Sequence, residues 1–215
     1  MSDFRFPSRV QKLRERLSKD ELDALFVSNG ENRRYYSGFV STAGYLLVTA
    51  NEAVVCTDFR YTEQAAQQAP GWRIDRIGGK PDWLAKLVNE FYIKTLGFEA
   101  DDMTVSTLER FKKALKENDA DPEWKATSGI GVDLRVYKDA GELELLQRAI
   151  DIGDQAFEET AAQLEVGMTE KEAAWIFEKA VRERGAESIS FETIVAIGPN
   201  AAHPHHATSD SKLVE

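Results

Sequence analysis

The chain has one cysteine and three histidines among 215 residues. A lone cysteine closes no intramolecular disulfide, so the fold rests on its core and suits a reducing compartment. Cys56 sits in the apolar run Ala53-Val54-Val55-Cys56-Thr57, where apolar surroundings make a structural thiol rather than a nucleophile. Basic residues are in the minority: 27 Lys and Arg stand against 37 Asp and Glu, a formal net charge of −10. Nucleic acids and anionic membranes are held by clustered Lys and Arg, so this balance argues against either partner. No apolar run approaches the roughly 18 residues of a membrane span, and the N-terminus has no apolar signal-peptide stretch. A soluble, cytoplasmic protein is expected.

Several catalytic signatures are also missing. HExxH, CxxC, G-x-S-x-G and the phosphate-binding glycine loops are absent, and the pairs Gly78-Gly79 and Gly129-Ile130-Gly131 do not supply them. All imidazole chemistry must therefore use His203-Pro204-His205-His206. In an extended segment His203 and His205 share one side and His206 takes the other. A metal site needs three or four ligands with outer support. The nearest carboxylate in sequence is Asp210, so the stretch reads as a polar loop rather than a self-contained metal site. Arg33-Arg34 reads as a solvated basic pair.

What is present is 42% hydrophobic and 30% charged, enough for a core and against disorder. Ser8 and Gln11 suggest a capping box before the helical spacing of Val10, Leu13 and Leu17. Strands are expected at 23–28, 45–49, 53–57, 72–77 and 95–98, with a hairpin joining the second and third. Helices are expected at 61–68, at 83–91 and after Ser106, which pairs with Glu109 as a cap. Alternating strands and helices imply an α/β layer structure. The glycines at 129 and 131 mark the boundary, giving domains 1–131 and 132–215.

Beyond it the texture changes. Asp139 and Glu142 open a long helix whose seam runs through Leu143, Leu146, Ile150, Gly153, Phe157, Ala161 and Leu164. Thr169 and Glu172 cap a second helix that turns Ala173, Phe177, Ala180 and Val181 inward and ends at Gly185. Residues 190–197 alternate like a strand. A lone strand cannot satisfy its own backbone, and two amphipathic helices need a sheet to cover. The second domain is thus expected to be incomplete, with an exposed seam and an unpaired edge.

Six ordered stretches carry a resemblance. NRRYYSGF at 32–39 and TDFRYTEQA at 57–65 resemble signatures of the creatinase-type N-terminal domain, as does Leu96-Gly97-Phe98-Glu99. LRVYKDAGE at 134–142 resembles the opening of the pita-bread catalytic domain. Gly167-Met168-Thr169-Glu170 resembles its G-x-T-E, and FETIVAIGPNAAHPHH at 191–206 its segment ending in Pro-His. The chain is thereby similar to the creatinase, aminopeptidase P and prolidase family.

That resemblance implies an N-terminal creatinase-type domain with a mixed sheet flanked by helices, followed by the incomplete start of an α+β pita-bread domain. It implies a proline-specific metallopeptidase that hydrolyses the Xaa-Pro bond at peptide N-termini, through water activated by two divalent metals, manganese or cobalt. The family's metal ligands are expected past residue 215. No metal ligand is assigned here, no tightly bound metal is expected, and this chain alone is expected to be inactive. His205, after Pro204, corresponds to the family's active-site histidine near the scissile carbonyl. Phe191 and His206 are the substrate-side candidates. The implied partners are a peptide with proline at its second position and a second copy in a homodimer. Tyr35, Tyr36 and Arg60 are expected to shape the N-terminal domain. Two other readings stay open: a non-catalytic peptide- or protein-binding module, and a metal-free hydrolase of a creatine-like C–N bond.

Overall fold

A computed structural model describes residues 5–214. The chain forms two compact units, the first running to Tyr137 and the second from Lys138.

The first unit is a six-stranded mixed sheet with helices on both faces. In chain order its elements are α1 (Arg5–Lys19), β1 (Ala24–Val27), α2 (Gly30–Ser37), β2 (Tyr45–Thr49), β3 (Ala53–Thr57), α3 (Thr62–Gln68) and β4 (Arg73–Arg76). Then come α4 (Asp82–Glu90), β5 (Thr95–Glu99), α5 (Val105–Lys116), β6 (Glu123–Thr127) and α6 (Ile130–Val136). The strand order is β4-β3-β2-β1-β5-β6. β1, β2 and β3 pair antiparallel in series, while β1–β5, β3–β4 and β5–β6 are parallel. The hairpin expected between 45 and 57 forms, its turn held by Thr49 Oγ1, which accepts from the amides of Asn51 and Glu52.

Strand side chains alternate between faces, and the core divides accordingly. Ala24, Phe26, Leu47, Val54 and Cys56 pack with α4 and α5 through Leu84, Leu87, Phe111 and Leu115. Leu25, Val27, Leu46, Val48 and Val55 pack on the other face with Val10, Leu13, Tyr36 and Ala65. Central strands coated on both faces need to be apolar at every position, which is why β1 reads Ala-Leu-Phe-Val. Burial pushes the Cys56 thiol well above its usual pKa, as its apolar strand implies.

Several local expectations give way to longer-range forces. Residues 30–37 form α2, a helix the sequence pattern does not announce. Asn29 caps it by accepting from the Asn32 amide, and Gly38 ends it at φ 80°. Arg33 is not solvated: it is 5% exposed, and its guanidinium donates to the carbonyls of Ser41 and Gly44. Only Arg34 of the pair is exposed. α1 begins at Arg5, so Ser8 lies inside it, and the cap of α5 is Thr104 rather than Ser106. The glycines taken as a boundary start α6, which Tyr35 secures by donating its hydroxyl to the Leu134 carbonyl at 3.0 Å. The first unit therefore extends through Tyr137 rather than ending at Gly131.

The second unit holds α7 (Ala140–Gln163) and α8 (Glu170–Glu183), which pack through Ala156, Ala180 and Val181. Both expected capping boxes form, Asp139 with Glu142 and Thr169 with Glu172. Leu143, Leu146, Ile150 and Phe157 of the long seam are exposed. The strand expected at 190–197 does not form. A strand needs a neighbouring backbone to pair with. Here the amides turn to side chains instead: Val195 donates to Thr208 Oγ1 and Ile197 to Glu170 Oε1.

Phe26 is fully buried, stacked on Tyr45 at 4.8 Å and edge-on to Phe111 at 5.0 Å between ring centroids. Phe26→Ala should destabilise the first unit by about 3–5 kcal/mol. Urea unfolding checks this through the midpoint, and a loss under about 1 kcal/mol would contradict the packing described.

Candidate functional site

The histidine stretch is built outward from the N-terminus of α8. Thr169 caps the helix by accepting from the Glu172 amide, and the Glu172 carboxylate accepts from the Thr169 amide. Glu170 is the first helical residue, where the exposed N–H groups of the first turn favour negative charge. Its side chain turns away from the helix to face residues 197–209. That segment folds as consecutive tight turns: Asn200 N donates to Ile197 O, His203 N to Asn200 O, and His206 N to His203 O.

Both oxygens of Glu170 are occupied by this segment. Oε1 accepts from Ile197 N at 2.9 Å and from Asn200 Nδ2 at 2.9 Å. Oε2 lies 2.7 Å from His206 Nε2 and accepts from Ser209 N at 2.8 Å and Ser209 Oγ at 2.7 Å. The carboxylate is 0% exposed, yet what covers it is the loop rather than a deep core. Burial by itself would raise its pKa. The hydrogen bonds from Asn200, His206 and Ser209 outweigh that and hold the carboxyl well below the usual range. Glu170 is therefore ionised and can only accept, so His206 Nε2 carries the proton of their shared bond.

The expected site residues are placed unequally. His206 is partly covered, with 15% of its side chain exposed against the Glu170 carboxylate. His203 and His205 are exposed. Phe191 is 71% exposed and joins no buried cluster. The structure thus brings together Glu170, Asn200, His206 and Ser209. Of these, the sequence patterns single out only His206 as a site residue. Glu170 carries one signal in hindsight, since the Thr169 capping box needs only Glu172 and leaves the acid beside it unexplained.

No group of three or more His, Cys, Asp or Glu among the described residues could hold a metal ion. The Glu170 carboxylate beside His206 has its lone pairs filled by protein donors. These residues do not fit a metal.

In the first unit a cavity of about 660 Å³ opens where β1, β3 and β5 end, lined in part by Arg33, Arg60 and Asp102. Arg33 is spent on backbone carbonyls and Arg60 is forked onto Asp58. Both arginines brace loops.

Residues 9–137, more than half of the chain, match the Creatinase/Prolidase N-terminal domain, and residues 144–215 match Metallopeptidase family M24. This chain belongs to the creatinase/prolidase family. Within it, the chain is 34% identical to the uncharacterized peptidase YqhT of Bacillus subtilis, across 96% of this chain and 58% of that protein. A solved Xaa-Pro dipeptidase from Bacillus anthracis superposes with a TM-score of 0.90 at 36% identity, covering 97% of this chain and 57% of the other. The X-Pro aminopeptidase from Thermotoga maritima gives 0.85 at 33% identity, covering 95% and 57%. The chain thus spans less than two thirds of the length of these family members. Membership in this metallopeptidase family carries divalent-metal dependence for the family as a whole. The family match also agrees with the mixed, helix-flanked sheet of the first unit.

Because the Glu170 pKa is depressed on folding, its stabilising contribution is complete above the ordinary value of 4.5 and fades as pH falls below it. Amide protection at Ile197 and Ser209 should therefore begin to drop as pH falls below about 4.5 and keep dropping as the solution is acidified further. In Glu170→Gln, whose amide keeps a single acceptor oxygen, one of the two amides should be weakly protected at every pH. Hydrogen exchange checks this, and a pH-independent wild type would contradict the assignment.

Proposed function

We propose that the whole protein is a proline-specific metallopeptidase that hydrolyses the Xaa-Pro bond at peptide N-termini. The observation that carries this reading is the 191–206 segment, presented on α8 within a region that matches the metallopeptidase family. Solved relatives of both the dipeptidase and the aminopeptidase kind support the substrate class. The metal is proposed as manganese or cobalt, held by residues outside those described, and when bound it supplies activated water.

What this chain contributes is the substrate side. His205 is the proposed catalytic residue. Its exposed imidazole is free to donate a hydrogen bond to the scissile carbonyl oxygen as negative charge develops there. His206 has Nε2 committed to Glu170, so only Nδ1 remains for a substrate. Phe191 is the proposed apolar contact for the peptide. The first unit, with two packed core layers and no metal cluster among its described residues, takes the supporting and homodimer role. Residues 1–215 by themselves are proposed to be inactive. The proposed place of action is the cytoplasm; among the described residues no helix is long and apolar enough to cross a membrane.

Purified full-length protein, loaded with manganese or cobalt, should cleave Xaa-Pro dipeptides or longer peptides with proline second, and residues 1–215 should not. His205→Ala should lower kcat by about 10²–10³-fold, the usual cost of one oxyanion donor. Cleavage of creatine in place of Xaa-Pro peptides, or binding of peptides without turnover, would overturn the reading.

A further inference from the structure

We propose that Glu170 is a positioning residue that sets where His205 stands, by joining the two halves of its loop through one carboxylate. The inference rests on the reading of His205 given above. The two oxygens divide the work. Oε1 takes Ile197 and Asn200, which precede Pro204-His205, and Oε2 takes His206 and Ser209, which follow. His205 therefore lies between two anchors whose separation is the width of a rigid planar group. No regular strand over residues 197–209 does this job.

The far side of the clamp is equally fixed. Glu170 N donates to Ser211 O at 3.0 Å, and Leu213 N donates to Met168 O at 2.7 Å. These bonds tie the residues after the loop to the same end of α8. A purely stabilising role explains the arrangement less well. Capping of α8 is already complete through Thr169 and Glu172, and a carboxylate serving only the helix N-terminus would gain its charge interaction while exposed to water. Glu170 is instead withdrawn from solvent and given entirely to the loop.

The isosteric change Glu170→Gln tests the idea because the clamp needs two acceptors. The amide offers one oxygen and one NH₂ group. In either orientation that NH₂ meets a backbone N–H that can only donate, from Ile197 or from Ser209. One half of the loop is then released, and His205 loses its register. Displacements of about 1 Å at a reacting group cost up to about 10²-fold.

The experiment uses the full-length, metal-loaded protein and an Xaa-Pro dipeptide. Glu170→Gln should lower kcat by about 10–100-fold with KM within about twofold, because the lost contact belongs to the transition state. Asp139→Ala, which removes the cap of α7 far along the chain, is the control for lost stability and should leave kcat unchanged. In a His205→Ala background Glu170→Gln should add little further loss, since it acts through His205. Should Glu170→Gln fail to fold, Asn200→Ala and Ser209→Ala each remove one side-chain bond from one side of the clamp and should give smaller, likewise non-additive, losses.

If His205→Ala leaves kcat intact, the functional reading fails. If His205→Ala is damaging but Glu170→Gln behaves like Asp139→Ala, or adds fully to His205→Ala, the positioning role fails. Hydrogen exchange at Ile197 and Ser209 decides the clamp apart from activity. Protection lost at one of the two amides in Glu170→Gln and kept at both in Asp139→Ala supports it, and unchanged protection overturns it.

Discussion

A carboxylate leaves water at a cost of several kcal/mol unless its lone pairs are filled, and in both units that constraint organises the loops around a buried glutamate. Glu99 at the end of β5 is 7% exposed and accepts from the amides of Ser28 and Asn29 and from Asn32 Nδ2. It thereby fixes the exit of β1 to the exit of β5, and Arg135 of α6 closes the network by donating to Asn32 Oδ1. Glu170 repeats the logic at the entrance of α8. The two acids nevertheless shift in opposite directions. Burial, with the nearby Asp102 charge, keeps the Glu99 pKa above the usual range despite its donors. Glu170 lies under a thin layer of loop and collects more donors, including the His206 imidazole, so hydrogen bonding wins. Donor number against depth of burial decides the sign.

The same contrast explains what could be read without coordinates. Short-range signals were legible: the continuous apolar runs of β2 and β3, and the two capping boxes at Asp139 and Thr169, whose partners lie three residues away. The family could be read from motif order, because backbone-shaping residues recur at set spacings. Illegible were the features decided by partners far along the chain. Arg33 is polar in sequence but is drawn inside by carbonyls of a loop that must not stay unpaired. α6 begins at glycines that suggest a break, yet Tyr35 and Asn32 wait for it on α2. The strand pattern at 190–197 was real as a pattern. Periodicity reports which side chains could share a face, and says nothing about whether a neighbouring backbone exists to complete the ladder.

For the candidate site, the sequence patterns mark the histidine loop and leave Glu170 beneath it unassigned. Histidines attract attention because few other side chains can work near neutral pH. An acid in a helix's first turn does not, since such acids are common where the helix end favours negative charge. Charge and position in the first turn do not separate Glu170, fully enclosed, from Glu172, which serves an ordinary cap. The difference appears only when residues 197–209 fold back over the helix end, some thirty residues after Glu170.

Chemistry presented on a loop has to solve a problem that strands and helices solve by their own ladders: a few degrees of backbone freedom move a side chain farther than a transition state tolerates. A hydrophobic anchor can bury a loop residue but leaves its rotation soft, because dispersion contacts are non-directional. A hydrogen bond to a charged acceptor is directional and short-ranged. When it is shared among donors from both limbs of one loop, movement of either limb breaks a charge-assisted bond and exposes the other limb's partner to an unfilled lone pair. The cost of deforming the loop is then set by one enclosed charge rather than by many weak contacts. Polar residues such as Asn200 and Ser209 are accordingly placed around the histidines, where a packing argument alone would have called for apolar ones.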